Sequence, residues 1–172
     1  FHADYAALDS FDQVSEFDAP KIDERPSLDR WILSQVSKTA DNGDSVFKGW
    51  DFHKAGREIE RFIVDDLSNW YVRRSRRRLW DEAESADKAA CQHTLREVLL
   101  VTCRIMAPIA PFMPDRIHRD LTGISVHLAD WPCGSEILDG ILPPRDTKIE
   151  AQMALARNLA EAGRRIRVES SR

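Results

Sequence analysis

Five guanidiniums fall within six residues of this 172-residue chain. They are Arg73, Arg74, Arg76, Arg77 and Arg78, in the segment DDLSNWYVRRSRRRLW from Asp65 to Trp80. Trp70 and Tyr71 stand before them and Trp80 closes the run. Arginine is a planar fork of donors that matches phosphate oxygens and base edges and also stacks on rings. Exposed aromatics are platforms for unstacked single-stranded bases, worth ~1–3 kcal/mol each. Together they suit an RNA loop better than a duplex. Spacing alone leaves two other readings open: a solvated face whose arginines pair with nearby Asp and Glu, or a surface that docks an acidic protein. Trp70 and Tyr71 also continue an apolar stripe, so both fit a core.

Other chemistry finds little support. No phosphate-cradling G-x-x-x-x-G-K-[ST] or G-x-G-x-x-G is present. Cys91 and His93 form a C-x-H whose side chains diverge on a helix, and His118 and His127 flank a loop, so no metal site is expected. Cys91 and Cys103 lie on helical stripes, where cysteine acts as a small hydrophobe. Asp65 and Asp66 diverge as helical neighbours, which suits solvent or caps rather than acid–base work.

The net charge of −4 hides a dipole. Phe1 to Asp66 holds 8 basic and 15 acidic residues, whereas Leu67 to Arg172 holds 17 basic and 14 acidic. The acidic part should repel RNA and leave one basic side for it. Hydrophobic residues at 42% and charged residues at 31% fit a folded domain rather than a disordered tail. No apolar run reaches the ~20 residues of a membrane span. Three cysteines without a C-x-x-C suggest a reducing, cytosolic setting. The chain opens FHADYAALDSFD, without Met or a signal peptide, and reads as an excised piece of something longer.

Helices must position the arginines. No proline occurs between Ser27 and Ala107, and then Pro108, Pro111 and Pro114 come together. The pattern predicts a lead-in over 1–26, in which Phe1, Tyr5, Phe11 and Phe17 pack on a helical body. A first helix starts near Ser27, with Leu28, Trp31, Ile32 and Val36 on one face, and Asn42, Gly43 and Asp44 bend or end it. A second carries the stripe Phe52, Ala55, Ile59, Phe62, Leu67 and Trp70, with Asp51 as N-cap. A third runs from about Ser85 to Met106 and is buried over Val98 to Ile105. A short helix follows over Asp115 to Leu121, then a loop over 123–146. A last helix starts near Thr147, with Ile149, Met153, Ala156, Leu159 and Ile166 facing inward. The expected architecture is an all-α bundle of about five helices, its core spanning 27–122 and its last helix, 147–172, truncated.

Five segments in order carry a resemblance. DDLSNWYVRRSRRRLW, RPSLDRWIL (Arg25 to Leu33), MAPIAPFMPDRIHRDL (Met106 to Leu121), SVHLADWP (Ser125 to Pro132) and the opening FHADYAALDSFD resemble the anticodon-binding helical domain of isoleucyl-tRNA synthetases. They reach from residue 1 to about 132, and the last helix matches more loosely. VRRSRRRLW and SVHLADWP favour the isoleucyl over the valyl or leucyl branch. The class I signatures His-Ile-Gly-His and Lys-Met-Ser-Lys-Ser are absent, as is an editing domain.

The resemblance implies a monomeric domain that docks the anticodon stem-loop of isoleucine tRNA beside the rest of the synthetase chain. The parent ligates isoleucine to tRNA with ATP and magnesium. This piece is expected to hold no cofactor and to do no chemistry. Arg73, Arg74, Arg76, Arg77 and Arg78 become candidates for phosphate and base-edge contacts. Arg74 and Arg77 are exposed if Trp70 and Tyr71 face inward. Trp80, past the stripe, is the stacking candidate, since related synthetases set an aromatic after this helix against an anticodon base. Trp31 reads as core, and Arg30 stands between an ion pair and RNA. A valyl-tRNA synthetase domain or a helical protein-interaction module are the alternatives.

Overall fold

The computed structural model describes residues 20–80, 85–132 and 145–170; the lead-in rings and Cys133 lie outside them. Five helical rods make up the described fold, which contains no strand. The first, α1, spans Ser27–Lys48. The second, α2, is continuous through three registers: α-helical over Phe52–Arg61, π-helical over Phe62–Val72, and α-helical over Arg73–Leu79. Then follow α3 (Ala86–Met106), α4 (Phe112–Thr122) and α5 (Thr147–Ser170).

Two starts are capped by side chains, the one at Asp51 as the sequence predicts. Asp51 accepts the Lys54 N–H at 3.1 Å and Ser85 accepts that of Lys88 at 3.1 Å, each satisfying a donor the helix leaves open. Gly123 ends α4 in the left-handed region, at φ 76°.

Trp31, Ile32, Leu33 and Val36 of α1 meet Phe62, Trp70 and Tyr71 of α2 and Val98, Val101 and Ile105 of α3 in one core. α3 is central, with all but Leu99 and Met106 of its apolar second half buried. Two expectations are corrected. α1 does not stop at Asn42–Asp44 but continues to Lys48: Gly43 is buried, and the Trp131 and Phe47 rings pack against it. That packing offsets the ~1 kcal/mol cost of an internal glycine. α5 buries less than its stripe predicts. Ile149 is buried and Met153 packs on the core, but Ala156 is exposed, as are Leu159 and Ile166, each at 65%. The helix touches the bundle along its first turns and then runs past it.

Polar contacts fix that docking. The Ser34 hydroxyl donates to Glu150 at 2.7 Å and accepts the Asp146 N–H at 2.9 Å. Arg145 and Lys38 close on the same Glu150 carboxylate. These bonds set the line along which α5 passes the arginine segment of α2.

Candidate nucleic-acid interface

α2 delivers the arginines at its C-terminal end. Tyr71 is fully buried and Trp70 nearly so, which turns Arg73, Arg74, Arg76 and Arg77 to solvent. The Arg74 guanidinium lies over the Trp70 ring, 3.1 Å from its centroid. The indole face holds the cation in place, and the indole N–H points the other way, to the Met153 sulfur of α5. Trp80 ends the helix with 56% of its surface exposed.

The fifth arginine is placed differently. Arg78 donates through Nη1 and Nη2 to both carboxylate oxygens of Asp29, at 2.8 and 2.7 Å, and through Nε to Asp87 at 2.8 Å. Asp29 is fully buried, and the Tyr71 hydroxyl donates to it at 2.9 Å. Burial alone lowers the Arg78 pKa, but bonding to Asp29 outweighs it and raises the pKa well above the usual arginine value. Burial likewise pushes the Tyr71 phenol well above its ordinary range, with help from Cys91 and Asp29. This network ties α1, α2 and α3 together, so Arg78 has no fork left for a phosphate. Arg30 is also engaged, in an ion pair with Asp146 at 3.3 Å. Trp31 is core, 2% exposed.

The sequence reading missed two cations that α5 contributes. Arg157 packs between two indoles, 5.1 Å from the Trp70 centroid and 5.7 Å from that of Trp31, and bonds the buried Asp66 carboxylate. Farther along, Arg164 comes close enough to act on Arg74. Burial, then the charges of Arg164, Arg157 and Arg73, lower the Arg74 pKa. Like charges gathered on two helices repel, and an anion placed between them would relieve that repulsion. Only the position of α5 in the fold reveals this, because about 85 residues of sequence separate the two sets.

The described residues contain no group of three His, Cys, Asp or Glu side chains placed to hold a metal ion. Cys103 is a buried thiol with its pKa pushed up to about 11, and Cys91 is raised as well, chiefly by burial. A thiol so raised is a poor nucleophile. No helix among the described residues is long and apolar enough to cross a membrane.

Residues 29–171 match the family described as the anticodon-binding domain of tRNA ligase. The chain is 40% identical over 171 residues to the isoleucine–tRNA ligase of Bacillus thuringiensis (strain Al Hakam), an alignment covering 99% of this chain and 16% of that protein. Identity to the isoleucine–tRNA ligase of Deinococcus radiodurans is 42% over 166 residues, or 95% of this chain and 14% of the relative. With that of Thermobifida fusca it is 45% over 157 residues, 89% and 14%. The chain therefore spans about one-sixth of the length of these relatives. With the helical bundle and nearly the whole chain inside the match, this protein belongs to the family of anticodon-binding domains of tRNA ligases.

Proposed function

We propose that the chain is the part of an isoleucine–tRNA ligase that grips the anticodon arm of isoleucine tRNA. The observation that carries the reading is the exposure of Arg73 and Arg74 side by side at the C-terminal end of α2, with the Arg74 guanidinium held over the Trp70 ring. A curved phosphate backbone neutralises several such cations at once, whereas an isolated carboxylate on a protein surface neutralises one. Arg76 and Arg77 extend the bank, and Trp80 offers a ring to an unpaired nucleobase.

The parent reaction joins isoleucine to tRNA with ATP and magnesium, and those sites belong to the larger enzyme. The isolated chain acts as a monomeric, cytoplasmic-type RNA-binding piece without chemistry of its own. Filter binding of isoleucine and valine tRNA transcripts tests the reading. Tighter retention of the isoleucine transcript supports it. Equal retention leaves arm binding without isoleucine specificity, and retention of neither refutes it. Isoleucine-dependent pyrophosphate exchange by the pure chain, above a buffer control, would refute its catalytic silence.

A further inference from the structure

α1, α2 and the first half of α5 border a groove of about 520 Å³, an ordinary size for a small-molecule site. Trp31 and Lys38 line it from α1, Arg61 and Asp66 from α2, and Ala151 and Ala154 from α5. Asp66 is only 2% exposed. Arg157 donates to its Oδ1, but no described residue donates a hydrogen bond to its buried Oδ2. The Arg61 Nη1 stands 3.6 Å from that oxygen, beyond hydrogen-bonding distance. A buried carboxylate oxygen without a donor is costly, so a donor carried in by a ligand is favoured there.

The charge of the lining selects the occupant. Lys38, Arg61 and Arg157 bring three positive charges, and Asp65, Asp66 and Glu150 bring three negative ones. A bare phosphate would meet the carboxylates and a simple amine the cations, so the molecule that fits carries both signs. Glu150 is already taken: it accepts from Ser34 and Arg145 and pairs with Lys38. That leaves Asp66 Oδ2 as the acceptor for a cation and Arg61, whose side chain is 54% exposed, as the donor to an anion. The ammonium and carboxylate of an α-amino acid are joined through one carbon, roughly 3 Å apart, and so reach both partners together. Ala151 and Ala154, one turn apart on α5, keep the groove open, and with Trp31 they give it an apolar wall.

We propose that this groove binds a free α-amino acid with an apolar side chain. The ammonium donates to Asp66 Oδ2, the carboxylate accepts from Arg61, and the side chain lies along Trp31, Ala151 and Ala154. The ammonium supplies the missing donor without displacing Arg157, which is bonded to the other oxygen. None of Arg73, Arg74, Arg76 and Arg77 lines the groove, so the site stands or falls independently of the arm-binding reading.

Calorimetric titration of the chain with leucine is the test. Leucine should bind, and leucinamide and N-acetylleucine, which each lack one of its charges, should bind about 10- to 100-fold more weakly, the worth of one charged hydrogen bond. Glycine has no side chain to lay along Trp31 and should bind roughly tenfold more weakly or worse. Arg61→Gln removes the partner of the carboxylate from a half-exposed position and should weaken leucine by about 10- to 100-fold. Ala154→Leu fills the groove from an exposed position on α5, so it should abolish leucine binding while its urea melt matches that of the parent chain. Leucine binding that withstands both variants lies elsewhere on the chain and overturns the site. Equal binding of leucine, leucinamide and N-acetylleucine overturns the pairing with Asp66 and Arg61, and equal binding of glycine overturns the apolar wall. No leucine binding at any soluble concentration overturns the proposal outright.

Discussion

Replacing Arg78 with methionine should damage the fold rather than RNA binding, although Arg78 stands among arginines that face solvent. Asp29 is fully buried, and both its oxygens accept from the Arg78 fork. Removing the fork leaves a buried carboxylate supported by the Tyr71 hydroxyl alone. Breaking a buried pair from one side costs about 3–5 kcal/mol. The Arg78 side chain keeps 16% of its surface in water, which moves the expectation to ~2–4 kcal/mol. For a chain of this size that lowers the melting temperature by roughly 5–15 °C.

The assay is a urea or thermal melt followed by tRNA binding at a temperature where the variant is folded. Arg77→Met is the control. That side chain is exposed, and its removal should stay within about 0.5 kcal/mol of the parent stability while weakening RNA. The double variant Asp29→Asn with Arg78→Met should recover part of the loss, because it leaves no lone charge in the core. An Arg78→Met chain that melts like the parent and yet loses RNA affinity would refute the reasoning and return Arg78 to the phosphate bank.

Three further outcomes are expected. If about three to five arginines neutralise single-stranded phosphates, log K should fall with log salt at a slope of roughly −2 to −3.5, and a flat dependence counts against the bank. Trp80→Ala should weaken binding of full-length tRNA by ~1–3 kcal/mol with little change in the melt, whereas Trp70→Ala should cost ~3–5 kcal/mol of stability; the reverse pattern inverts the assignment of the two rings. Asp115 binds the Ser125 hydroxyl and Arg119, which holds its pKa near about 2, below the ordinary carboxylate value. Its stabilising effect is therefore complete above the unfolded value of about 4 and is lost as pH falls through about 2. Asp115→Asn should flatten the thermal melts across that window.

The apolar stripes were legible because burial imposes a period, and Trp31, Ile59 and Val98 all sit where the period puts them. The cap at Asp51 was legible for a similarly local reason. α5 was not. Leu159 and Ile166 repeat at a helical spacing, but a stripe shows only that a face is apolar, and here the bundle ends before the helix does. The groove beside Asp66 was invisible for a different cause. Its walls come from three helices that only the fold brings together.

Arg78 escaped the sequence reading through the register of α2. Counted at about 100° per residue from the buried Ala55, Arg78 falls roughly 140° away from the core, on the solvent side, whereas Arg73 and Arg77 fall within about 40° of it. The 11 residues of Phe62–Val72, however, are bonded i to i+5, a wider coil that advances roughly 85° per residue. Across that stretch the helix lags by about 165°, which brings Arg78 within about 25° of the Ala55 direction. The same lag turns Ser75 inward, and it is fully buried. It also carries Arg73, Arg76 and Arg77 outward, onto the side where they are exposed. The π-helical stretch thus does two things at once: it sends one arginine in to neutralise Asp29 and turns the others to solvent. A run of five like residues becomes one structural cation and a four-arginine surface only because the coil beneath it changes pitch.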